Sequence, residues 1–385
     1  MKKSVSIIIP TFNGGRIFKD CLEAIKRQKY SGEIQLIIID SGSTDGTVAE
    51  AREAGADIIQ IDKEEFNHGR ARNRALRNTD YELVIFTVQD AIPVSDNWIH
   101  LMVKSLEEDD VVAVTGQQMP HNNADVYARF EVRQHNNHLG SNIKIKSIDS
   151  MQEFKAMSYG EALKVVRFDN VCAIYKKDAL EEISFPKVAF AEDMAWAKRV
   201  LLRGYKVKYD PSIKVRHSHN RIPNYRLRRT IFDIIHTAQI LERLRNDLSF
   251  IRLQDLYAGL EVIERMYQVI VNDLRMNNGA LINSGNRANY FNQLINTVFN
   301  KKDKNLDVDW LLNFAKKCEL EIKSVLSTIS EWFLGVTNKE LLLCLEQFTA
   351  CRKGKLLGEV MVSYQSNGNL PNDIAEVIVP YLRGV

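Results

Sequence analysis

The chain has 385 residues, 45% of them apolar and 26% charged, with eight prolines and a formal charge of +3. That balance excludes disorder and low complexity, and so small a charge does not argue for nucleic acid as a partner. The length accommodates about two domains of ~100–200 residues each.

Five scattered cysteines, Cys21, Cys172, Cys318, Cys344 and Cys351, form no Cys-x-x-Cys pair, which argues against a disulfide framework or a zinc site and fits a reducing cytosol. The apolar run before Pro10 is too short for a signal-peptide core, and no stretch reaches ~18 unbroken apolar residues, so neither a leader nor a bilayer span is expected.

Val5-Ser6-Ile7-Ile8-Ile9 reads as a strand closed by Pro10, and Thr11-Phe12-Asn13-Gly14-Gly15 as a tight turn into a helix marked by Phe18, Leu22 and Ile25. Leu36-Ile37-Ile38-Ile39 is a second buried strand ending in Asp40, and Ser41 to Thr47 is a polar turn that caps a helix running through Ala54. Ile58-Ile59-Gln60-Ile61 is a third strand, and His68-Gly69-Arg70-Ala71-Arg72-Asn73 opens another helix. Leu83 to Phe86, with Val88 beyond Thr87, has the continuous apolar character of a strand buried on both faces inside a parallel sheet. Asp90 stands where that run stops, and Pro93 is expected to end the ladder. The alternation implies right-handed crossovers and a mainly parallel sheet that delivers Thr11, Asn13, Asp40 and Asp90 to the edge where ligands bind. Taken alone, Asp90 reads equally well as a cap on the helix that starts at Ser95 to Trp98.

The alternation weakens after Val111-Val112-Ala113-Val114-Thr115. Residues 117–165 are polar, include His135 and His138, and read as an insertion over the crevice with no catalytic assignment. Val171 to Tyr175 is a returning strand. Glu192-Asp193 begins a helix that ends at Gly204. Lys206 to Tyr209 and Ile213 to Arg216 alternate as two strands, followed by His217-Ser218-His219. From Tyr225 the pattern is helical, with Ile231, Ile234, Ile235, Ala238, Leu241, Leu244 and Leu248 on one face, then further helices over 253–274, 287–299, 308–333 and 338–350. The asparagine- and glycine-rich stretch 277–286 and the charged link 301–305 separate them. The expected division is an α/β domain over 1–230 and an all-helical region over 231–385.

Ser6-Ile7-Ile8-Ile9-Pro10-Thr11-Phe12-Asn13, Ile38-Ile39-Asp40-Ser41-Gly42-Ser43-Thr44-Asp45-Gly46-Thr47, Gln89-Asp90 and Glu192-Asp193, in that order, resemble family 2 glycosyltransferases of the Rossmann-like GT-A fold. Phe66-Asn67-His68-Gly69-Arg70-Ala71-Arg72-Asn73 and Gln89-Asp90-Ala91 are similar to the rhamnosyltransferase branch. The resemblance stops near residue 230. It implies an inverting transfer of a sugar, L-rhamnose from dTDP-L-rhamnose, to a hydroxyl of a growing bacterial surface glycan, free or lipid-linked. It further implies Asp193 as catalytic base with Glu192 beside it, and a nucleotide-sugar site of Pro10, Thr11, Phe12, Asn13, Asp40, His68, Arg72 and Gln89. Asp40 would meet a pyrimidine N–H, and Arg72 and His68 the diphosphate. A divalent ion, Mn2+ or Mg2+, would be held by Asp90 with His217 and His219, since Val88 stands where the family's Asp-x-Asp motif has its first acid. One carboxylate with imidazole suits Mn2+ better.

Between 198 and 229 there are eleven Lys and Arg and one acid, Asp210. This is either a solvated face or a phosphate-binding surface for the donor, a lipid diphosphate or an anionic membrane, with Arg226, Arg228 and Arg229 leading into the amphipathic helix. The expected location is cytoplasmic, at the inner face of the membrane, with oligomer contacts open to the helical region. A UDP-hexose donor and a catalytically silent nucleotide-sugar-binding scaffold are the competing readings. A dinucleotide-dependent oxidoreductase lacks the Gly-x-Gly-x-x-Gly spacing.

Overall fold

The computed structural model describes residues 3–107, 110–276, 306–332 and 335–382. Two compact units emerge, one of residues 1–122 with 132–218, the other of 123–131 with 219–385. The break at 218/219 comes a dozen residues before the expected division at 230/231, and a short segment from the polar insertion groups with the helical unit.

In chain order the first unit contains β1 (Val5–Thr11), α1 (Gly15–Lys26), β2 (Ile34–Asp40), α2 (Thr47–Glu53), β3 (Asp57–Gln60), α3 (His68–Leu76), β4 (Leu83–Thr87), β5 (Ile92–Pro93), α4 (Trp98–Ser105) and β6 (Val111–Met119). Then follow α5 (Val126–Leu139), whose first turns group with the other unit, β7 (Lys144–Lys146), α6 (Met151–Ala156), α7 (Tyr159–Val166), β8 (Cys172–Lys176), α8 (Lys177–Glu182), α9 (Glu192–Leu201) and β9 (Lys206–Arg216). The strands form one sheet ordered β3-β2-β1-β4-β8-β6-β9-β5, with β7 on the outer side of β9.

The continuous apolar runs behave as expected of strands covered on both faces: β1 and β4 are buried throughout, and β1, β2, β3 and β4 are mutually parallel. The returning strand is antiparallel to both neighbours, pairing Thr87 with Cys172 and Thr115 with Ala173. Its start therefore lies beside the end of β4, at the same edge that receives the loops after β1 and β2. The parallel pair β6 and β9 brings Met119 and Arg216 together at that edge too.

Two strand expectations are corrected. Lys206 to Arg216 is one strand, and Pro211 is accommodated where the register slips between Thr115/Tyr209 and Gln117/Lys214, since a residue outside the ladder needs no N–H. Pro93 does not end pairing either. The chain turns after Asp90 and re-enters the sheet, with Ile92 opposite Arg216 and Pro93 opposite Val215. Gly116 at the slip is forced, because a Cβ there would meet the Ile213 carbonyl oxygen at 2.5 Å and Cys172 Sγ at 2.7 Å.

One face of the sheet packs Ile7, Ile9, Ile85 and Ile174 against Phe18, Leu22, Trp98 and Met102. Trp98 is a core residue, its indole N–H donating to Cys172 Sγ at 3.4 Å. Elsewhere Phe86, Phe168, Tyr175, Phe185 and Trp196 form an aromatic cluster with ring centroids 4.9–6.2 Å apart for the contacting pairs.

The second unit is helical: Pro223–Leu241, Leu253–Met276, Val308–Trp332, Asn338–Ser366 and Asn372–Ile378. The helix expected over 287–299, the stretch 277–286 and the link 301–305 lie outside the described residues. Asn338–Ser366 runs well past the expected end at 350. Gly354 and Gly358 act there as close-approach points: a Cβ at 354 would lie 2.4 Å from the Leu227 carbonyl oxygen, and one at 358 would lie 3.1 Å from Ile234 Cβ. The helix Pro223–Leu241 buries Ile231, Ile235 and Ala238 in the bundle core, and Leu241 is buried as well. Among the described residues no helix is long and apolar enough to cross a membrane.

Candidate active site

Register places the ends of β1 and β2 side by side, Thr11 opposite Asp40. The two following loops are laced together. Asp40 is fully buried, and its carboxylate accepts from Thr11 Oγ1 at 3.0 Å, Gly42 N at 3.1 Å, Ser43 N at 2.9 Å and Ser43 Oγ at 2.5 Å. Four bonds fill the capacity of a carboxylate, so a pyrimidine N–H can reach Asp40 only by displacing one, most simply the Ser43 hydroxyl. Asn13 takes a left-handed conformation (φ +47), donates its N–H to Ser43 Oγ at 2.8 Å and accepts from Thr44 N at 2.8 Å. Pro10 is buried in β1, paired with Ile39.

Phe12 is 38% exposed, with Lys63 Nζ 4.8 Å from its ring centroid. Gln89 holds its backbone from both sides: the amide oxygen accepts from Phe12 N at 2.8 Å and the amide nitrogen donates to Phe12 O at 3.2 Å. Val88 packs against the apolar core.

At the far side of the edge the ring of His217 lies between Gln118 and Asp90. Nδ1 is 2.8 Å from Gln118 Oε1, and Nε2 is 3.7 Å from Asp90 Oδ1. His219 follows two residues along the chain, and Asp90, His217 and His219 each offer a ligand atom within 4.8 Å of the others. One carboxylate and two imidazoles form a donor set suited to a divalent transition ion. His121, which the sequence gave no reason to single out, is buried, with Nε2 3.0 Å from the Asp90 carbonyl oxygen and its own N–H on Ser218 Oγ at 3.0 Å.

Glu192 and Asp193 open α9, and the residue before them, Ala191, is held left-handed (φ +56, ψ +46), a conformation costing an L-residue ~1–2 kcal/mol. Arg72, expected to face the diphosphate, is only 3% exposed, forms a buried ion pair with Glu192 and lies 5.9 Å from the Phe86 ring centroid, so its charge is paired with the acid pair. Asn170, two residues before β8, bridges the acids: its side-chain N–H2 donates to Glu192 Oε1 at 3.2 Å, its backbone N–H donates to Asp193 Oδ2 at 3.0 Å, and its Oδ1 accepts from Tyr175 at 2.6 Å. The surroundings drive the two acids apart. Burial and the neighbouring Glu192 push Asp193 up to about 7. Burial opposes the charge on Glu192 as well, yet Arg72 and His68 outweigh it and hold Glu192 below the usual carboxylate range. His68 stands at the first turn of α3, whose cap Asn67 accepts from Arg70 N at 3.1 Å, with its ring edge-on to Phe66 at 4.8 Å.

A lone acid with two histidines and an acid pair of divergent acidity thus stand on a mixed sheet flanked by helices, the architecture of GT-A proteins. The model of the family "Glycosyl transferase family 2" matches residues 6–184. The chain is 36% identical over 229 residues to the O-antigen chain rhamnosyltransferase RfbN of Salmonella typhimurium, covering 58% of this chain and 69% of that protein. It is 34% identical over 230 residues to the O-antigen chain rhamnosyltransferase WbaN of Salmonella anatum, covering 59% and 70%. The chain belongs to glycosyltransferase family 2 and is a nucleotide-sugar-dependent glycosyltransferase. A mannosyltransferase from Pyrobaculum calidifontis, solved with GDP-Man and Mn2+, shares the fold with a TM-score of 0.52 at 16% identity, over 95% of this chain and 88% of that one.

Proposed function

We propose that the enzyme transfers L-rhamnose from dTDP-L-rhamnose, with inversion, to a hydroxyl of a growing bacterial surface polysaccharide. The observation that carries this reading is the acid pair, with Asp193 raised to about 7 and Glu192 kept ionised beside it. A base poised near neutrality suits deprotonation of a sugar hydroxyl. In the transfer, the acceptor oxygen forms its bond to the anomeric carbon as the bond to the diphosphate oxygen breaks. The acceptor proton passes to Asp193, and the nucleoside diphosphate leaves. Glu192 keeps its charge on Arg72 and orients the pair. Rhamnose is supported by the names of the two Salmonella relatives and by the Phe66-to-Asn73 and Gln89-Asp90-Ala91 motifs.

Thr11, Phe12 and Asn13, fixed by Gln89 and by the loop that Asp40 holds, would wall the base. His68 and the amino end of α3 suit a diphosphate oxygen. Asp90, His217 and His219 would hold a divalent ion, for which Mn2+ fits better than Mg2+. When bound, the ion supplies positive charge to the departing diphosphate. A peripheral membrane contact has less support: Arg226 is buried against Glu131 and Tyr127, and Arg229 pairs with Asp233 at 2.9 Å.

The test is release of dTDP from dTDP-L-rhamnose, or UDP from UDP-glucose, with Mn2+ and a polysaccharide acceptor, by wild type and Asp193→Asn. Acceptor-stimulated dTDP release that requires Asp193 supports the reading. UDP release alone replaces the donor. Turnover unchanged in Asp193→Asn removes the assigned base, and no turnover of either donor leaves a binding scaffold.

A further inference from the structure

The transfer reaction as derived leaves Asp169 and His135 without a task, although both stand at the same edge of the sheet. Asp169 immediately precedes Asn170, the residue that holds both catalytic-site acids. Its backbone is pinned, the carbonyl accepting from Thr115 Oγ1 at 3.2 Å and Oδ1 accepting from Val171 N at 3.2 Å. That leaves Oδ2 directed at His135, whose Nε2 is 3.3 Å away. The histidine comes from a different element, α5, where the adjacent Asn136 donates to the Gln118 carbonyl at 2.8 Å, so the helix is tied to the residue that fixes His217.

The pair is neither core nor open surface: the side chains of His135 and Asp169 are 18% and 17% exposed. His135 Nε2 is buried and, at 3.3 Å from Asp169 Oδ2, makes at best a poorly formed hydrogen bond. A buried polar atom left poorly matched costs up to ~1–3 kcal/mol, which an entering ligand group can recover. Burial works against the charge on Asp169, but His135, the Val171 N–H and the more distant His217 hold its carboxyl below the usual range, so it is an ionised acceptor at neutral pH. Among the described residues no third ligand turns the pair into a metal site. An acceptor oxygen and a misaligned donor side by side match a hydroxyl group, which donates to the first and accepts from the second, or two adjacent hydroxyls taking one partner each.

We infer that Asp169 and His135 form a hydroxyl-recognition pair for a sugar ring, the carboxylate accepting from one hydroxyl and the imidazole donating to the same or the neighbouring oxygen. This rests on the transferase reading above and adds to it the part of the site that inspects the sugar. The ring belongs either to the donor or to the acceptor, which share this chemistry. A pocket that hydrogen-bonds a hydroxyl discriminates against the analogue lacking it far more strongly than an apolar pocket does.

The experiment uses the full chain with dTDP-L-rhamnose and UDP-glucose as donors, a panel of octyl hexosides as acceptors, and monodeoxy forms of each sugar. Asp169→Asn and His135→Gln are expected to raise KM for one substrate at least about tenfold, with the other KM and kcat within about threefold. Removing the recognised hydroxyl should cost wild type a similar factor but cost Asp169→Asn no more than about threefold further, a non-additivity that a merely structural role would not produce. A raised acceptor KM with unchanged acceptor-free hydrolysis of the donor places the ring in the acceptor. A raised donor KM that persists in hydrolysis places it in the donor. The inference is overturned if both KM values are unchanged, or if variant and deoxy losses simply multiply for every hydroxyl. His135→Gln, on a separate element, gives the same cycle if Asp169→Asn does not fold. A wild type that turns over no donor sinks the transferase reading itself, a distinguishable result.

Discussion

Replacing Asp193 by asparagine should stabilise the protein while removing its activity, by an amount that depends on pH. A carboxyl raised from 3.8 to about 7 binds its proton more tightly folded than unfolded, so the stability it contributes is complete below pH ~4 and is lost as pH climbs to about 7. The rise from 3.8 to about 7, at ~1.36 kcal/mol per pH unit, sets a ceiling of ~4 kcal/mol on that loss. The neutral amide avoids it, but can accept from only one of the two N–H groups now on the carboxylate, Asn170 at 3.0 Å and Met194 at 2.8 Å, which costs ~1–2 kcal/mol. The variant should therefore be close to wild type at pH 5 and ahead by roughly 2–3 kcal/mol at pH 8. At ~2–4 °C per kcal/mol for a unit of this size, the difference in melting temperature should widen by several degrees between those pH values. Calorimetric scans of both proteins in metal-free buffer at pH 5 and pH 8 read this directly. A difference that does not change with pH refutes the buried-acid argument. The same acidity predicts that wild-type kcat rises with pH through about 7, with kcat in the variant lower by roughly 100-fold or more.

Arg72→Met should cost about 3–5 kcal/mol in a urea titration, because it leaves Glu192, 5% exposed, charged without its partner; unchanged stability with a raised donor KM would return Arg72 to the diphosphate. Ala191→Gly relieves a left-handed backbone and should stabilise the protein by up to about 1 kcal/mol in a thermal melt, whereas destabilisation would mean the conformation is not strained. Mn2+ at 100 times its Kd should stabilise wild type by ~2.7 kcal/mol and should not stabilise Asp90→Asn or His217→Ala; equal stabilisation of all three would move the metal site elsewhere.

The sheet's first half was legible because strands covered on both faces must be apolar throughout, and loops after parallel strands share an edge. The direction of β8 was not, since no local property of Val171 to Tyr175 encodes whether its neighbours run with or against it. That direction is what brings Asn170 to the acid pair, so the residue had no sequence signal of its own. The helices within 117–165 did leave one: Ser150-x-x-Glu153 and Ser158-x-x-Glu161 are capping-box patterns, fully formed in the second case. Gly354 and Gly358 lie beyond the expected helix end at 350, in a part of the helix where close packing requires them. Arg72 carries the right residue type for phosphate, and its buried pairing with Glu192, 120 residues away in the chain, had no local signal.

The amide of Gln89 has a wider consequence. It stands between Val88, anchored in the apolar core, and Asp90, and its two bonds to Phe12 require both an oxygen and a nitrogen at fixed positions. A shift of the chain that re-aims Asp90 by even an ångström must stretch at least one of those bonds and tilt the aromatic wall. If Phe12 walls the nucleobase and Asp90 holds the ion, as proposed, the two are mechanically linked through a single side chain, and substitutions at 88–90 aimed at one will drag the other along.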